Sequence, residues 1–251
     1  MTPTRHDLAF DVTLYHGCAE DVLPSLPPAS LDAVITDPPY SSGGQFRGDR
    51  AQPTRAKYQS TDTKTLFAEF AGDSRDQRAY LLWSAQWMRA ALDATKPGGF
   101  LCVFCDWRQL PATSDAIQVA GWTWRGIIPW DKRNARPQPD RPRNQCEYVL
   151  WATHGAHPSK PGPGVRYHAG LLSAPAPSTS QRTISTQKPE SILRDLVALA
   201  PPGGLVCDPF LGSGTTAAAC LAMGRRFVGC EFTAAHFAHA RERIEAALAA
   251  R

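Results

Sequence analysis

The sequence has no long hydrophobic run: no apolar stretch approaches the roughly 18 residues needed to cross a bilayer. Its start, MTPTRHDLAFDV, lacks the apolar h-region of a secretory leader. Neither export nor a membrane partner is therefore expected, and the chain reads as a soluble, cytoplasmic protein. A disulfide framework is missing too. The seven cysteines are odd in number and mostly sit in apolar runs, where a free thiol behaves as a small hydrophobe, which favours a reducing compartment. Cys102 and Cys105 form a C-x-x-C, but no second pair stands at zinc spacing, and residues three apart on a strand point to opposite faces. His236 and His239, three apart on a C-terminal helix, have no third ligand nearby and are expected at the surface, so no metal site is expected. Excess charge of one sign is small, 27 Lys and Arg against 23 Asp and Glu, for a net +4. That does not establish a polyanionic partner, though it is compatible with one if the cations cluster.

What is present fits one large α/β domain with room for a small insert: 251 residues, 43% of them hydrophobic. Short β-branched runs alternate with helical stretches, the pattern of βα units on a mainly parallel sheet. VTLYH (12–16) and LDAVIT (31–36) read as strands, CAEDVLPSL as a short helix, and 78–95 as a long amphipathic helix. Two echoes, LDATKPGGFLCVF (92–104) and LVALAPPGGLVCD (196–208), each read as a helix, a Pro-Gly-Gly stop and a buried strand. WRGIIPW (124–130), EYVLWA (147–152) and RRFVGCE (225–231) bring the expected strand count to seven. A polar, glycine-rich loop runs from Ser41 to about Thr63.

Two further segments are loop-like. Between Trp130 and Cys146 prolines forbid regular structure and Lys132, Arg133, Arg136, Arg141 and Arg143 cluster, either as a solvated connection or as contacts to nucleic-acid phosphates. Residues 153–183 are rich in Pro, Gly and Ser without periodicity, as suits a linker or a recognition insert built from loops.

The chemistry is carried by two motifs. In GGLVCDPFLGSGTTAAACLAMGRRFVGCE (203–231), an apolar strand ends at Asp208, and a turn containing Gly212 and Gly214 leads into a small-residue helix near Ser213. Such a turn lets the backbone approach a ligand, and Glu231, 17 positions beyond Gly214, ends the next strand as an acceptor for ribose hydroxyls. GSGTTA formally fits a dinucleotide fingerprint, but Asp208-Pro209-Phe210 separates it from the strand, which suits a nucleoside with a charged amino-acid tail such as S-adenosylmethionine. The other motif is Asp37-Pro38-Pro39-Tyr40, directly after LDAVIT. A carboxylate at the C-terminal end of a strand stands where α/β sheets place their sites. The prolines restrict the backbone, and Tyr40 offers a ring for a planar base while Asp37 accepts a hydrogen bond from its amino group.

Together the motifs resemble those of the amino-group DNA methyltransferases, D-P-P-Y for catalysis and D-P-F-x-G-x-G-T for S-adenosylmethionine. The catalytic motif comes first, as in the β-class permutation, and STQKPESIL (185–193) resembles the family's Q-K-P segment. The resemblance implies a Rossmann-like class I methyltransferase fold, a seven-stranded, mostly parallel sheet with helices on both faces, in which Val12–His16 is the third strand. It implies a catalytic part over 1–152, a small target-recognition insert over 153–183 and a cofactor-binding part over 184–251. It assigns Asp37, Pro38, Pro39 and Tyr40 to the target base, and Asp208, Phe210, Gly212, Ser213, Gly214, Thr215 and Glu231 to the cofactor, with Lys188 near its carboxylate end. Cys18 stands where family members often carry an adenine-contacting aspartate, a role Glu20 or Asp21 could take over. WDKRN (130–134) and NQCEYVLWATHG (144–155) resemble motifs bordering the base pocket.

The implied reaction is direct methyl transfer to N6 of a flipped-out adenine in double-stranded DNA, with no cysteine nucleophile and with Lys132 to Arg143 gripping phosphates. The same motifs allow N4-cytosine or RNA as substrate, and the rival classes are an NAD-dependent oxidoreductase and a non-enzymatic DNA-binding module. A homodimer and a companion restriction nuclease are compatible partners.

Overall fold

The computed structural model describes residues 2–9, 11–40, 73–135, 137, 139–157, 165–178 and 187–250. The expected loop from Ser41 to Thr63 and Arg136 lie outside the described residues. The strands are β1 (Thr4–Ala9), β2 (Val12–His16), β3 (Leu31–Thr36), β4 (Thr95–Cys105), β5 (Thr123–Asp131), β6 (Cys146–Thr153), β7 (Leu172–Ser173), β8 (Leu205–Asp208) and β9 (Arg226–Glu231). The helices are α1 (Ala19–Val22), α2 (Gln77–Ala94), α3 (Leu110–Val119), α4 (Glu190–Val197), α5 (Thr215–Ala222) and α6 (Ala234–Ala249).

The strands form one sheet in the order β1-β2-β9-β8-β3-β4-β6-β5-β7. Among the described residues it therefore has nine strands, not seven. β1 adds an antiparallel hairpin partner to β2 at one edge, and β7 adds a two-residue pairing with Trp130 and Asp131 at the other. β1 escaped the pattern because TRHDLA is polar and mostly solvent-facing, and β7 because two residues carry no period. The inner seven keep the expected class: β2, β9, β8, β3 and β4 run parallel, and β6 is antiparallel to both β4 and β5.

Alternation along the central strands divides the core between the two faces. Ala33, Ile35, Cys102 and Phe104 pack toward α4, α5 and α6 with Leu196, Ala217, Phe237 and Ile244. Val34, Leu101, Val103 and Cys105 pack toward α2 and α3 with Trp87, Met88 and Ile117. Cys102 and Cys105 thus lie on opposite faces, as strand geometry requires, and burial pushes the Cys102 thiol up to about 12. Burying each large side chain such as Ile35 contributes about 1.5–3 kcal/mol. The second Pro-Gly-Gly echo behaves as expected, separating α4 from β8 by a turn. The first does not: β4 begins at Thr95, so Pro97, Gly98 and Gly99 lie within it, beside a register shift against β3 between Leu31 and Ala33.

This topology places the chemistry on one edge. The parallel strands β2, β9, β8, β3 and β4 all end there, and the antiparallel β6 begins there. The register pairs Trp130 with Glu147, so Lys132, just past β5, reaches the same edge.

Candidate functional site

At that edge a cavity of about 450 Å³ opens, a size within the range of small-molecule sites. It is lined along one side by Gly17, Cys18 and Glu20 after β2, along another by Asp37–Tyr40 after β3, and at its floor by the turn after β8 and by Glu231. Residues some 170 positions apart in sequence are brought together by β8 lying beside β3.

Asp208 is the pin of this arrangement. It is 3% exposed, and both of its oxygens are occupied. The Thr36 hydroxyl and the Phe210 N–H donate to Oδ1 at 2.7 and 3.1 Å, and the Thr216 hydroxyl donates to Oδ2 at 2.7 Å. Burial nevertheless pushes its carboxyl up to about 6, against the lowering effect of those donors. Asp208 therefore ties β3, β8 and the first turn of α5 together.

The turn itself needs glycine. Gly212 has φ +52° and Gly214 +73°, left-handed values that L side chains rarely adopt. Only Gly212 of the two lines the cavity. Gly214 faces α6, where an added Cβ would stand 3.3 Å from the Ala240 carbonyl oxygen, so the tight packing of the turn on α6 sets its identity. Ser213 and Thr215 line the cavity with their hydroxyls 2.8 Å apart, and Arg243 donates to Thr215 Oγ1 at 2.9 Å.

Glu231, at the end of β9, is oriented by two backbone donors, Gly212 N–H to Oε2 at 3.0 Å and Thr233 N–H to Oε1 at 2.8 Å. Each oxygen keeps a lone pair for a ligand hydroxyl. Burial raises its pKa. Beside it Phe232 is 50% exposed at the cavity, a ring face for a planar base that the sequence reading did not single out. Its one signal is its place after a strand-terminal acid. Cys18 lines the cavity; its thiol donates to Asp21 Oδ2 at 3.0 Å, and burial raises its pKa. Glu20 lines the cavity and accepts from the Trp83 indole N–H, whereas Asp21 is outside the lining. Trp83 packs on Phe210 at 5.3 Å and carries Arg75 over its ring at 4.0 Å, closing one wall. His236, expected at the surface, is 2% exposed and lines the cavity, because the α6 face that carries it and Phe237 is the one packed on the sheet.

The other end of the cavity is built from charges of alternating sign. Lys188 Nζ lies 2.6 Å from Asp37 Oδ2 and 3.4 Å from Glu147 Oε2, and Lys132 Nζ lies 3.1 Å from Glu147 Oε1. The Tyr40 hydroxyl donates to Glu147 Oε2 at 3.2 Å. Asp37 Oδ1 has no hydrogen-bond partner among the described residues. Burial pushes the Asp37 carboxyl up to about 6; Lys188 opposes this, and the like charge of Glu147 adds to it. Burial also works against an ionised Glu147, but Lys188 and Lys132 outweigh it and hold that carboxyl below its ordinary range. Lys188 is thus placed at Asp37. Lys132, expected among the phosphate contacts, is half-buried against Glu147, because β5 and β6 carry both to the same edge. Arg133, Arg141 and Arg143 remain exposed. Glu147 went unassigned in sequence, although a lone acid opening the apolar strand CEYVLWAT was its signal.

A model of the N6/N4 DNA methylase family matches residues 31–242. The chain belongs to that family. The methylase is similar to the type II methyltransferase M2.DpnII of Streptococcus pneumoniae, 25% identical over 258 residues that take in 93% of this chain and 89% of the relative. It shares its fold with M1.HpyAVI, solved as a complex with SAM, at a TM-score of 0.64 and 22% identity over 93% of this chain and 98% of that one. It likewise shares its fold with the cytosine-N4-specific PvuII DNA methyltransferase, at a TM-score of 0.67 and 17% identity over 93% and 86%. Among the described residues no helix is long and apolar enough to cross a membrane, and no group of three or more His, Cys, Asp or Glu could hold a metal ion.

Proposed function

We propose that this methylase transfers a methyl group from S-adenosylmethionine to the N6 amino group of an adenine swung out of double-stranded DNA. The observation that carries the reading is Asp37 at the cavity wall, with one oxygen held by Lys188 and the other, Oδ1, without a partner among the described residues. An amino group needs such an acceptor.

The cavity residues fit the cofactor. Glu231, oriented by Gly212 and Thr233, suits ribose hydroxyls, Phe232 suits the face of its adenine, and the Gly212 turn admits the close approach of its tail. When bound, S-adenosylmethionine supplies an electrophilic methyl group on sulfur. Asp37 accepts one N–H of the base at Oδ1 and draws electron density toward the nitrogen, while Pro38 and Pro39 limit the movement of its backbone. Tyr40, its hydroxyl fixed by Glu147, offers ring surface that replaces part of the stacking lost on flipping, a cost of a few kcal/mol. Methyl transfer leaves the nitrogen positively charged and strongly acidic, so the ionised Asp37 carboxylate that holds its N–H can take up the released proton as the sulfur departs with the electron pair of its bond to the methyl group. Adenine is preferred to cytosine because the motif opens with Asp, the form that in the family resemblance accompanies adenine more often. Arg133, Arg141 and Arg143 supply phosphate contacts.

The test is incubation with labelled S-adenosylmethionine and an equal mixture of DNA and RNA. Label in DNA supports the reading; label in RNA alone refutes it. A thermal shift produced by NAD and not by S-adenosylmethionine would refute the cofactor.

A further inference from the structure

The cluster beyond Asp37 is larger than a single acceptor requires. Lys188 is 7% exposed, lies between two carboxylates and sits 5.3 Å from the Phe104 ring centroid and 5.7 Å from that of Tyr40. Ion pairs of this kind are costly to build, since each charge must leave water, and they are retained where they fix an arrangement. Two of the three Lys188 N–H donors are directed at Asp37 and Glu147. Glu147 is in turn held at Oε1 by Lys132 and at Oε2, beside Lys188, by the Tyr40 hydroxyl, so its position is fixed by the chain leaving β5, by β6 and by the catalytic turn at once.

We propose that Lys188 and Glu147 are positioning residues for Asp37: Lys188 holds Oδ2 so that Oδ1 faces the base, and Glu147 holds Lys188. This rests on the reading of Asp37 as the amino-group acceptor. The arrangement also sets when Asp37 is ionised. The groups facing Asp37 are Lys188 from the segment before α4, Glu147 from β6, Asp208 from β8 and the Cys105 thiol from β4, with Tyr40 from its own turn. Among the described residues Glu147 is faced by Lys132, Lys188, Asp37, Asp106, the Cys105 thiol and the Tyr40 hydroxyl. Of these, Lys188 is the cation in contact with Asp37 and Glu147 the nearest like charge. Removing the first makes Asp37 harder to ionise. Removing the second makes it easier, both directly and by leaving Lys188 to Asp37 alone.

The two substitutions therefore have opposite signs, which general structural damage does not produce. Carbon-13 NMR of the Asp37 carboxyl across pH, in the full chain, reads its ionisation without any substrate. In Lys188→Met the midpoint moves up by about one pH unit or more, and in Glu147→Gln it moves down. Lys188→Arg returns it toward the wild-type value and covers the case in which the Met variant does not fold. Single-turnover methylation follows the same order in its acid limb, while the S-adenosylmethionine dissociation constant from calorimetry stays within about threefold. Unmoved midpoints, or midpoints moving in the same direction, overturn the proposal. So does a cofactor affinity weakened tenfold in Lys188→Met with the Asp37 midpoint unchanged, which places Lys188 at the cofactor. A wild-type protein that transfers no methyl group to DNA refutes the functional reading instead, and the NMR midpoints still decide the positioning.

Discussion

Asp37 and Asp208 carry the same group and the same upward shift, to about 6, yet they do different work. Asp208 has its oxygens filled by Thr36, Thr216 and the Phe210 N–H, so it acts within the scaffold. Replacing it with Ala leaves two hydroxyls and a backbone N–H without their acceptor, and each buried polar group so stranded costs about 1–3 kcal/mol. Asp208→Ala should therefore lower the unfolding free energy by roughly 3–5 kcal/mol in urea titration. Its pKa also gives a sign. An unfolded Asp ionises near 3.8, so between about pH 4 and pH 6 the folded protein holds a proton that the unfolded chain has lost. The Asp208 contribution then favours folding at the acid end of that window and is lost as pH rises through about 6. Asp208→Asn, which cannot titrate, should show a correspondingly smaller loss of stability between pH 4.5 and pH 7. Asp37 instead has one oxygen without a partner among the described residues, so Asp37→Ala should cut methyl transfer by about 100-fold or more while calorimetry finds the cofactor affinity little changed. In the wild type, transfer should rise with pH through about 6 as Asp37 ionises.

At the scale of elements, the turn from β8 into α5 separates two glycine roles. Gly212 lines the cavity at φ +52°, so Gly212→Val strains the backbone and pushes a branched side chain toward the ligand. The cofactor dissociation constant should rise at least about tenfold. Gly214→Ala strains the turn against Ala240, away from the cavity, and should lower stability by about 1–2 kcal/mol with a smaller effect on cofactor binding. A change in cofactor affinity as large in Gly214→Ala as in Gly212→Val would contradict this division. These elements also show what was legible in sequence. β2 and β3 coincide with VTLYH and LDAVIT because apolar runs bounded by Gly17 and by Asp37-Pro38 leave little choice of ends. β1 and β7 were illegible because pairing with a neighbouring strand, and no period of their own, makes them strands. Asp37 and Glu231 stood out because each ends an apolar strand, and Gly212 because it stands in a glycine turn before a small-residue helix. Thr36 and Glu147 did not, since their partners are distant in sequence and are supplied by strand order, and Phe232 did not because a single aromatic after a strand carries no pattern. For Lys132 the basic composition of its loop pointed to phosphate, while the β5–β6 register carried it to Glu147.

At the scale of the whole molecule, the sheet edge gathers into one cavity the turn proposed for the cofactor and the Asp37 turn proposed for the base, and exposed Arg133, Arg141 and Arg143 stand on the loop after β5. On the proposed reading these arginines contact phosphates, which position a protein without specifying sequence. Each neutralised phosphate adds about 0.9 to the slope of log affinity against log salt. Replacing the three arginines with Gln should weaken DNA binding and flatten that slope by up to about 3, measured by fluorescence anisotropy across a salt series; an unchanged slope would remove this loop from the interface. The central claim is tested most directly by incubating the wild-type protein with S-adenosylmethionine and double-stranded DNA, digesting the DNA to nucleosides and identifying the methylated product by mass spectrometry. The account predicts N6-methyladenine, reduced about 100-fold or more when Asp37 is Ala; N4-methylcytosine alone, or no methylated nucleoside, would contradict it.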